Sequence, residues 1–387
     1  MALAITVCQP DPHSDDTGTS ASDSPLVGQL LADVGPFVMV PALETFGAAL
    51  QDLTQAVQAW ALQPTDATAQ AQALNLAQSQ WRISMAHWQS LEAFQIGPAA
   101  SGLTRVGGQD LRDELYSWPT VNPCRVDQKT ADGTWADANF FEVNLVNATG
   151  LDAMEHLLFG DLESVCPPQV NPLADGSWAA MGESGIVAAR AGYALVLAQE
   201  LEQVANTLIS AWDPLADDFS AQLTGKAEEP LFATNAEALD AVFQALFYLE
   251  TQAKDRKLAH PIGQKECVAD HCAEDLEGLP SGETLVMLRA NLAGFDRLFS
   301  GGDGIGFEEL LTDLGHGDLS RNIRDQSTAF QSSLASFEGS LFEAITTGSE
   351  APLDLLEEFS SLTELIKQDM VTVLHLMVPT EAAGDND

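Results

Sequence analysis

One short stretch, Gly150-Leu-Asp-Ala-Met-Glu-His-Leu-Leu-Phe-Gly160, carries three side chains able to do chemistry: Asp152, Glu155 and His156, spaced i, i+3 and i+4. A helix turns by about 100° per residue. On that wheel Leu151, Met154, Leu158 and Phe159 form one apolar arc, Glu155 falls inside it, and Asp152 sits at its edge. His156 points away and reads as a surface residue. A carboxylate on a core-facing stripe must be paired, protonated or bound to a cation, because an isolated buried charge costs several kcal/mol. A capping box from Thr149 to Asp152 is the structural alternative for the aspartate.

Other helices repeat the pattern. Glu92 lies between Trp81 and Met85 on the apolar arc of its helix, beside Trp88, Leu91 and Phe94. Arg190 projects from the centre of a stripe made by Tyr193, Leu197, Leu201, Val204 and Leu208. Glu250 lies between Leu239 and Phe243, with Lys254 and Lys257 following on the same face. Basic residues number only 16, so their placement on core faces is informative. The plain readings are an i,i+4 ion pair for Glu250 and Lys254, snorkelling for Arg190 and a satisfied core position for His87. Taken together, Glu92, Glu155 and Arg190 point to a buried polar cluster between helical bundles, structural or functional. A carboxylate-rich set suits hard cations such as calcium, manganese or ferric iron rather than zinc. No zinc-hydrolase, nucleophile-elbow, phosphate-loop or dinucleotide motif is present.

The elements that must hold these groups are helical. Apolar periodicity of about 3.6 predicts helices at 36–62, 67–96, 149–159, 183–212, 235–258, 282–299 and 351–377, with shorter pieces at 305–314 and 320–346. The fold class expected is all-α, two helical bundles packed together. The proline-rich, weakly periodic stretch after Gly160 reads as a linker. The organisation expected is a signal remnant and tether over 1–28, a first bundle over 29–160, a linker over 161–182, a second bundle over 183–378 and an acidic tail over 379–387.

The chain has 57 acidic against 16 basic residues, a net charge of −41. That field repels nucleic acid and anionic lipid and attracts cations; a heavily solvated surface is the plain reading. The apolar start Met1–Val7, then Cys8 and a Ser-, Asp- and Pro-rich run, resembles the end of a bacterial lipoprotein signal, with Cys8 as the lipidated residue, although Val7 stands where a small residue is usual and no basic segment precedes it. Cys124, Cys166, Cys267 and Cys272 form an even set. Disulfides Cys124–Cys166 and Cys267–Cys272 in an oxidising compartment are expected, with a zinc site as the alternative. No apolar run of membrane-spanning length is apparent, so attachment through a lipid is the only membrane contact expected.

Gly150-Leu-Asp-Ala-Met-Glu155 resembles the G-x-H-x-x-E motif of imelysin-like proteins, cell-envelope proteins assigned to a peptidase family and often linked to iron uptake. Further ordered segments carry the resemblance: Gln80–Phe94, Ser117-Trp118-Pro119, Ala189-Arg190-Ala-Gly-Tyr193, Asp255–Leu258 with Pro261-Ile-Gly263, and Asn291-Leu-Ala-Gly-Phe295. It spans about residues 30–376. It implies two helical bundles with the motif near their interface, and carries Glu92, Glu155 and Arg190 over as site residues. Asp152 stands where the motif has histidine, which weakens a histidine-dependent metal site or peptidase chemistry more than it weakens binding.

Three functions follow as expectations. The first is a periplasmic, lipid-anchored binding protein of iron or other metal acquisition, holding a metal ion (iron or calcium) or a metal-loaded ligand at Glu92, Asp152 and Glu155, supported by Arg190, Trp81, Trp118, Glu250 and Lys257. Envelope uptake components would be its partners, and nucleic acid would not. The second is a metallopeptidase with Glu155 as general base or ligand. The third is an ion network that only docks the bundles.

Overall fold

The computed structural model describes residues 24–62, 66–379 and 382. Cys8, nearly all of the 1–28 tether and nearly all of the 379–387 tail lie outside the described residues. Every regular element among those described is helical.

A first bundle is built from the continuous helix Pro25–Ala61, with Ala67–Glu92, Gly150–Phe159 and Ser177–Trp212. Pro25–Ala61 starts under a Ser24 cap, and Ala67–Glu92 starts under Asp66, whose carboxylate accepts the Ala69 amide. The two helices pack along their lengths through Phe46, Leu50, Leu53 and Val57 on one side and Ala77, Trp81, Met85 and Trp88 on the other. The Ser84 hydroxyl donates to the Ala49 carbonyl between them, at 3.1 Å. A second bundle comprises Asn235–Leu246 with the π-helical Leu249–Ala259, then Thr284–Ser300, Gly317–Ser336 and Ala351–Glu364 with its π-helical continuation Leu365–Met370.

Two expectations change. Pro25–Ala61 contains an 18-residue window of mean hydropathy 1.6, so a helix long and apolar enough to cross a membrane does exist. Half of that window is buried within the protein. Leu30, Val38, Phe46 and Leu50 are in the core, as befits a central bundle helix. The second change concerns the boundary. The expected helix 183–212, assigned above to the second bundle, is the part of Ser177–Trp212 that follows a kink at Gly182, and Ser177–Trp212 packs on Val40–Ala61 and Gly150–Phe159. Segment 161–182 is therefore a connection within the first bundle, running into the start of Ser177–Trp212, and does not separate two cores. Three links secure it: the Cys124–Cys166 disulfide, a Trp178 Nε1 hydrogen bond to the Leu162 carbonyl at 3.0 Å, and Arg190. Backbone turns such as Val170 N–H to the Pro167 carbonyl at 2.9 Å and Ala174 N–H to the Val170 carbonyl at 3.1 Å shape the segment, and these cross-links tie it to the bundle.

The bundles meet where Thr284–Ser300 lies against Ala67–Glu92. Gly294 makes that approach possible, since a Cβ there would stand 2.1 Å from the Ser90 carbonyl oxygen and 3.0 Å from the Ala93 Cβ. Gly294→Ala is expected to push the helices apart and cost roughly 1–3 kcal/mol, read as a lower denaturation midpoint in urea. An unchanged midpoint would contradict this seam geometry.

Candidate functional site

Lys257 is the centre of the seam. It is 1% exposed and stands on the π-helical stretch Leu249–Ala259. Its ammonium Nζ donates to Gln89 Oε1 at 2.6 Å, Asn291 Oδ1 at 3.1 Å and Glu92 Oε2 at 3.2 Å. Glu277 Oε2 lies 3.0 Å away. Arg112 grips the other oxygen of Glu92 through Nη2 at 2.6 Å and Nε at 3.0 Å, and also donates to the Trp118 carbonyl at 3.0 Å. The second oxygen of Glu277 accepts from the Tyr116 hydroxyl at 2.7 Å and Gln89 Nε2 at 3.0 Å. Two cations thus face two carboxylates in a closed net. Burial would raise the Glu92 carboxyl, but Lys257 and Arg112 hold it below its ordinary value. Glu277 stays above its ordinary value, because burial and the nearby Glu92 charge outweigh the pull of Lys257.

Asp152 and Glu155 belong to a different environment. Gly150 starts their helix at φ +85°, where a Cβ would come within 2.8 Å of Asp152 Oδ1 and 3.1 Å of the Leu115 carbonyl oxygen. Thr149 makes no side-chain cap, so the capping-box alternative is set aside. Asp152 Oδ2 instead accepts from the Ser117 amide at 3.1 Å and hydroxyl at 2.9 Å, and Oδ1 from the Ala153 amide at 3.0 Å. Glu155 Oε1 accepts from the Ser281 amide at 3.0 Å. No cation pairs with either carboxylate among the described residues. Burial raises both to about 7 against the lowering effect of those hydrogen bonds.

Both face a cleft of about 890 Å³, whose apolar wall includes Trp118, Pro119, Leu279 and Pro280. The loop from Glu277 to Ser281 connects the two environments: Glu277 is in the net, Leu279 and Pro280 line the cleft, and Ser281 holds Glu155. Outside the cleft wall, Trp81 supports the motif helix by donating from Nε1 to the Leu151 carbonyl at 2.8 Å and packing on Phe159.

His156 is buried and lines the cleft, not the outer surface. Its Nε2 lies 2.8 Å from Asp127 Oδ1, and the other Asp127 oxygen accepts the Val165 amide at 2.9 Å. Arg190 joins this group rather than Glu92 and Glu155. Its guanidinium donates to the carbonyls of Gly160 and Asp161, both at 2.7 Å, and lies 3.7 Å from Asp127. It therefore caps the motif helix at its negative end. Glu250 is also elsewhere, 3.1 Å from Lys367 and 3.3 Å from Lys254. The π-helix explains that separation: i→i+5 bonding widens the turn, so Glu250 and Lys257 leave the common face that α-helical spacing gives them. Disulfides join Cys124 to Cys166 and Cys267 to Cys272.

Arg112, Glu277, Gln89, Asn291, Ser117, Ser281 and Asp127 complete the arrangement; none is expected as a site residue from sequence, although Gln89, Ser117 and Asn291 lie in segments that carry the resemblance. Arg112 stands in a helix of one turn and Glu277 in a loop, where no wheel can be drawn. Among the described residues, the one set of three histidine, cysteine or acidic side chains with ligand atoms all within 4.8 Å is His260, Cys272 and Asp275. Asp152 and Glu155 therefore share no ready-made cage with a third such ligand.

An all-helical, two-bundle protein with buried carboxylates at the floor of a cleft between the bundles is the class that this geometry defines. The chain belongs to the imelysin family, whose model matches residues 40–368. It is similar to the crystal structure of an imelysin-like protein from Psychrobacter arcticum 273-4, at 16% identity and a TM-score of 0.68, covering 91% of this chain and 96% of that one. It is also similar to a "putative iron-regulated protein A precursor" from Parabacteroides distasonis ATCC 8503, at 15% identity and a TM-score of 0.67, covering 90% and 94%. No curated protein matches the chain.

Two predictions follow from the electrostatics. Lys257→Met removes the shared cation from Glu92 and Glu277, and is expected to cost about 3–5 kcal/mol. Combining it with Glu277→Gln should recover part of the loss, and the two urea midpoints check this. The carboxyl of Glu155 rises from an ordinary 4.5 to about 7 on folding. Its stabilising contribution is therefore complete below the ordinary value and is lost as pH rises through about 7. Glu155→Gln should consequently flatten the fall in melting temperature between about pH 5 and about pH 8, and gain roughly 1–3 kcal/mol over the parent at the alkaline end. Parallel curves for the two proteins would contradict the shift.

Proposed function

We propose that this imelysin-family chain is a cell-envelope binding protein that takes a metal-loaded small ligand into the cleft, with Asp152 and Glu155 meeting its positive centre. One observation carries the reading: these two carboxylates are desolvated at a cleft floor and, among the described residues, paired with no cation, although Arg256 and Lys265 also line the cleft, while neighbouring Glu92 and Glu277 are neutralised by Lys257 and Arg112. A bound cation would replace the protons that burial otherwise keeps on them. The cleft, at about 890 Å³, has the size of a small-molecule site, and the lack of a third clustered ligand favours a chelated metal over a bare ion. Carboxylate oxygens favour hard cations, ferric iron or calcium among them. The iron-regulated relative makes iron the first metal to try. The Glu92 network, in this reading, is structural and holds the floor in place.

The two disulfides suit an oxidising compartment, which supports a periplasmic or envelope location. Lipidation at Cys8 and delivery to envelope uptake components are part of the same proposal. Peptidase chemistry is not favoured, since Asp152 replaces the motif histidine and is held by Ser117.

Titration of metal-free protein with ferric citrate, followed by tryptophan fluorescence because Trp118 lines the cleft, tests the reading. Saturable binding that tightens as pH rises past about 7, and weakens by roughly tenfold or more in Glu155→Ala, is expected. Binding that does not saturate, or that is unchanged in the variant, would refute it.

A further inference from the structure

A second cluster of side chains, which includes neither Asp152 nor Glu155, stands on the wall of the same cleft. His260 Nε2 and Asp275 Oδ2 are 3.0 Å apart, and both lie with Cys272 Sγ in the cluster whose ligand atoms are within 4.8 Å of one another. Cys272 is bonded to Cys267, so a second sulfur adjoins the cluster. As a disulfide neither sulfur is a thiolate, and thiolate is the metal-binding form of cysteine.

We propose that reducing the Cys267–Cys272 disulfide creates a zinc-type metal site from His260 Nε2, Cys267 Sγ, Cys272 Sγ and Asp275 Oδ2. Zinc holds imidazole nitrogen at about 2.0–2.1 Å and thiolate sulfur at about 2.3 Å in a tetrahedron. Three of the four ligand atoms, His260 Nε2, Cys272 Sγ and Asp275 Oδ2, already lie within 4.8 Å of one another and need only a small inward closure, and Cys267 Sγ is bonded to Cys272 Sγ. Separate sulfurs can each swing about their own side-chain torsions once the bond between them is gone.

The backbone is arranged for this. His260 Nδ1 lies 3.1 Å from the Lys265 carbonyl oxygen, which leaves Nε2 facing the cluster; a carbonyl on the far ring nitrogen is the usual support of a metal-bound histidine. The Cys272 amide donates to the Pro261 carbonyl at 3.0 Å, and the Asp275 amide to the Cys272 carbonyl at 2.9 Å, which tie the Cys272–Asp275 turn to the backbone next to His260. Both cysteines are half-buried with fully exposed Val268 between them, so a reductant can reach the bond.

The chemistry balances through thiol–disulfide exchange. Two equivalents of a thiol deliver two electrons and two protons to the S–S bond, giving two cysteine thiols, and are themselves joined as a disulfide. Metal binding then releases the two thiol protons and displaces the hydrogen between His260 and Asp275. The donor set of two sulfurs, one nitrogen and one oxygen differs from the all-oxygen floor of the cleft, and selects zinc or cobalt rather than calcium.

Cobalt(II) reports such a site by the visible bands of tetrahedral cobalt and by thiolate-to-cobalt charge-transfer absorption. The full chain is reduced with a phosphine, which is removed anaerobically before titration. One cobalt per chain with charge-transfer absorption is expected, displaced by zinc, with neither seen for the oxidised protein. His260→Ala should weaken binding by at least roughly tenfold, and Cys267→Ser with Cys272→Ser should abolish the charge-transfer absorption. No saturable cobalt binding after reduction would overturn the proposal. So would charge-transfer absorption of equal strength in the Cys267→Ser, Cys272→Ser protein, since Cys8, Cys124 or Cys166 would then be the source. Glu155→Ala should leave the cobalt signal intact, which separates this site from the cleft floor.

Discussion

A single ammonium group buried between two helical bundles sets the constraints on the rest of the molecule. Lys257 is out of water, and desolvating a lysine costs several kcal/mol unless oxygen atoms replace its hydration shell. Here four side chains supply them, and they come from three separate parts of the chain: Gln89 and Glu92, Glu277, and Asn291. The contacts to Gln89 and Glu92 are lost if the Ala67–Glu92 and Thr284–Ser300 helices part, which leaves Lys257 only Glu277 and Asn291. Gly294, which admits the close approach, and Lys257, which is fully satisfied only by it, therefore express one requirement.

That requirement also shapes the cleft. Glu277 is anchored to Lys257, so the loop that follows it is fixed, and this loop supplies both the cleft wall and the Ser281 amide on Glu155. Arg112 fixes Glu92 and the Trp118 carbonyl together, bringing the Trp118 wall to the same place. On the opposite side, Arg190, Asp127 and the Cys124–Cys166 disulfide hold the far end of the motif helix. The charged groups of the net compensate each other, and Lys257 and Arg112 are engaged inside it. Asp152 and Glu155 are left with amide and hydroxyl donors alone, which is why burial dominates their ionisation.

Much of this was legible in the sequence, wherever long amphipathic helices make a wheel meaningful. Glu92 and Glu155 stand out as carboxylates flanked by large apolar groups, and both are buried. The all-helical class and most helix positions follow from the same periodicity. The reading fails where that geometry is absent or altered. A π-helix rotates Glu250 away from Lys257, and His156, off the apolar arc, is still buried because the Pro123–Asp132 helix covers that side with Asp127. Arg190 is central to its stripe, yet the local need it meets is the exposed carbonyl end of the motif helix. Arg112 and Glu277 sit on elements too short for any periodic signal. The linker expectation rested on proline content, which cannot reveal that a disulfide and Arg190 bind that turn back to its own bundle.

The most direct measurement is the ionisation of the two cleft-floor carboxyls, followed by carbon-13 NMR of aspartate- and glutamate-labelled protein and assigned with Asp152→Asn and Glu155→Gln. The account predicts two side chains titrating near neutrality in metal-free protein, each missing from its own variant, and both held ionised at acidic pH once a chelate of diamagnetic gallium(III), standing in for ferric iron, is bound. If both carboxyls instead titrate in the ordinary range of exposed aspartate and glutamate, the floor is not starved of cations and the account is wrong.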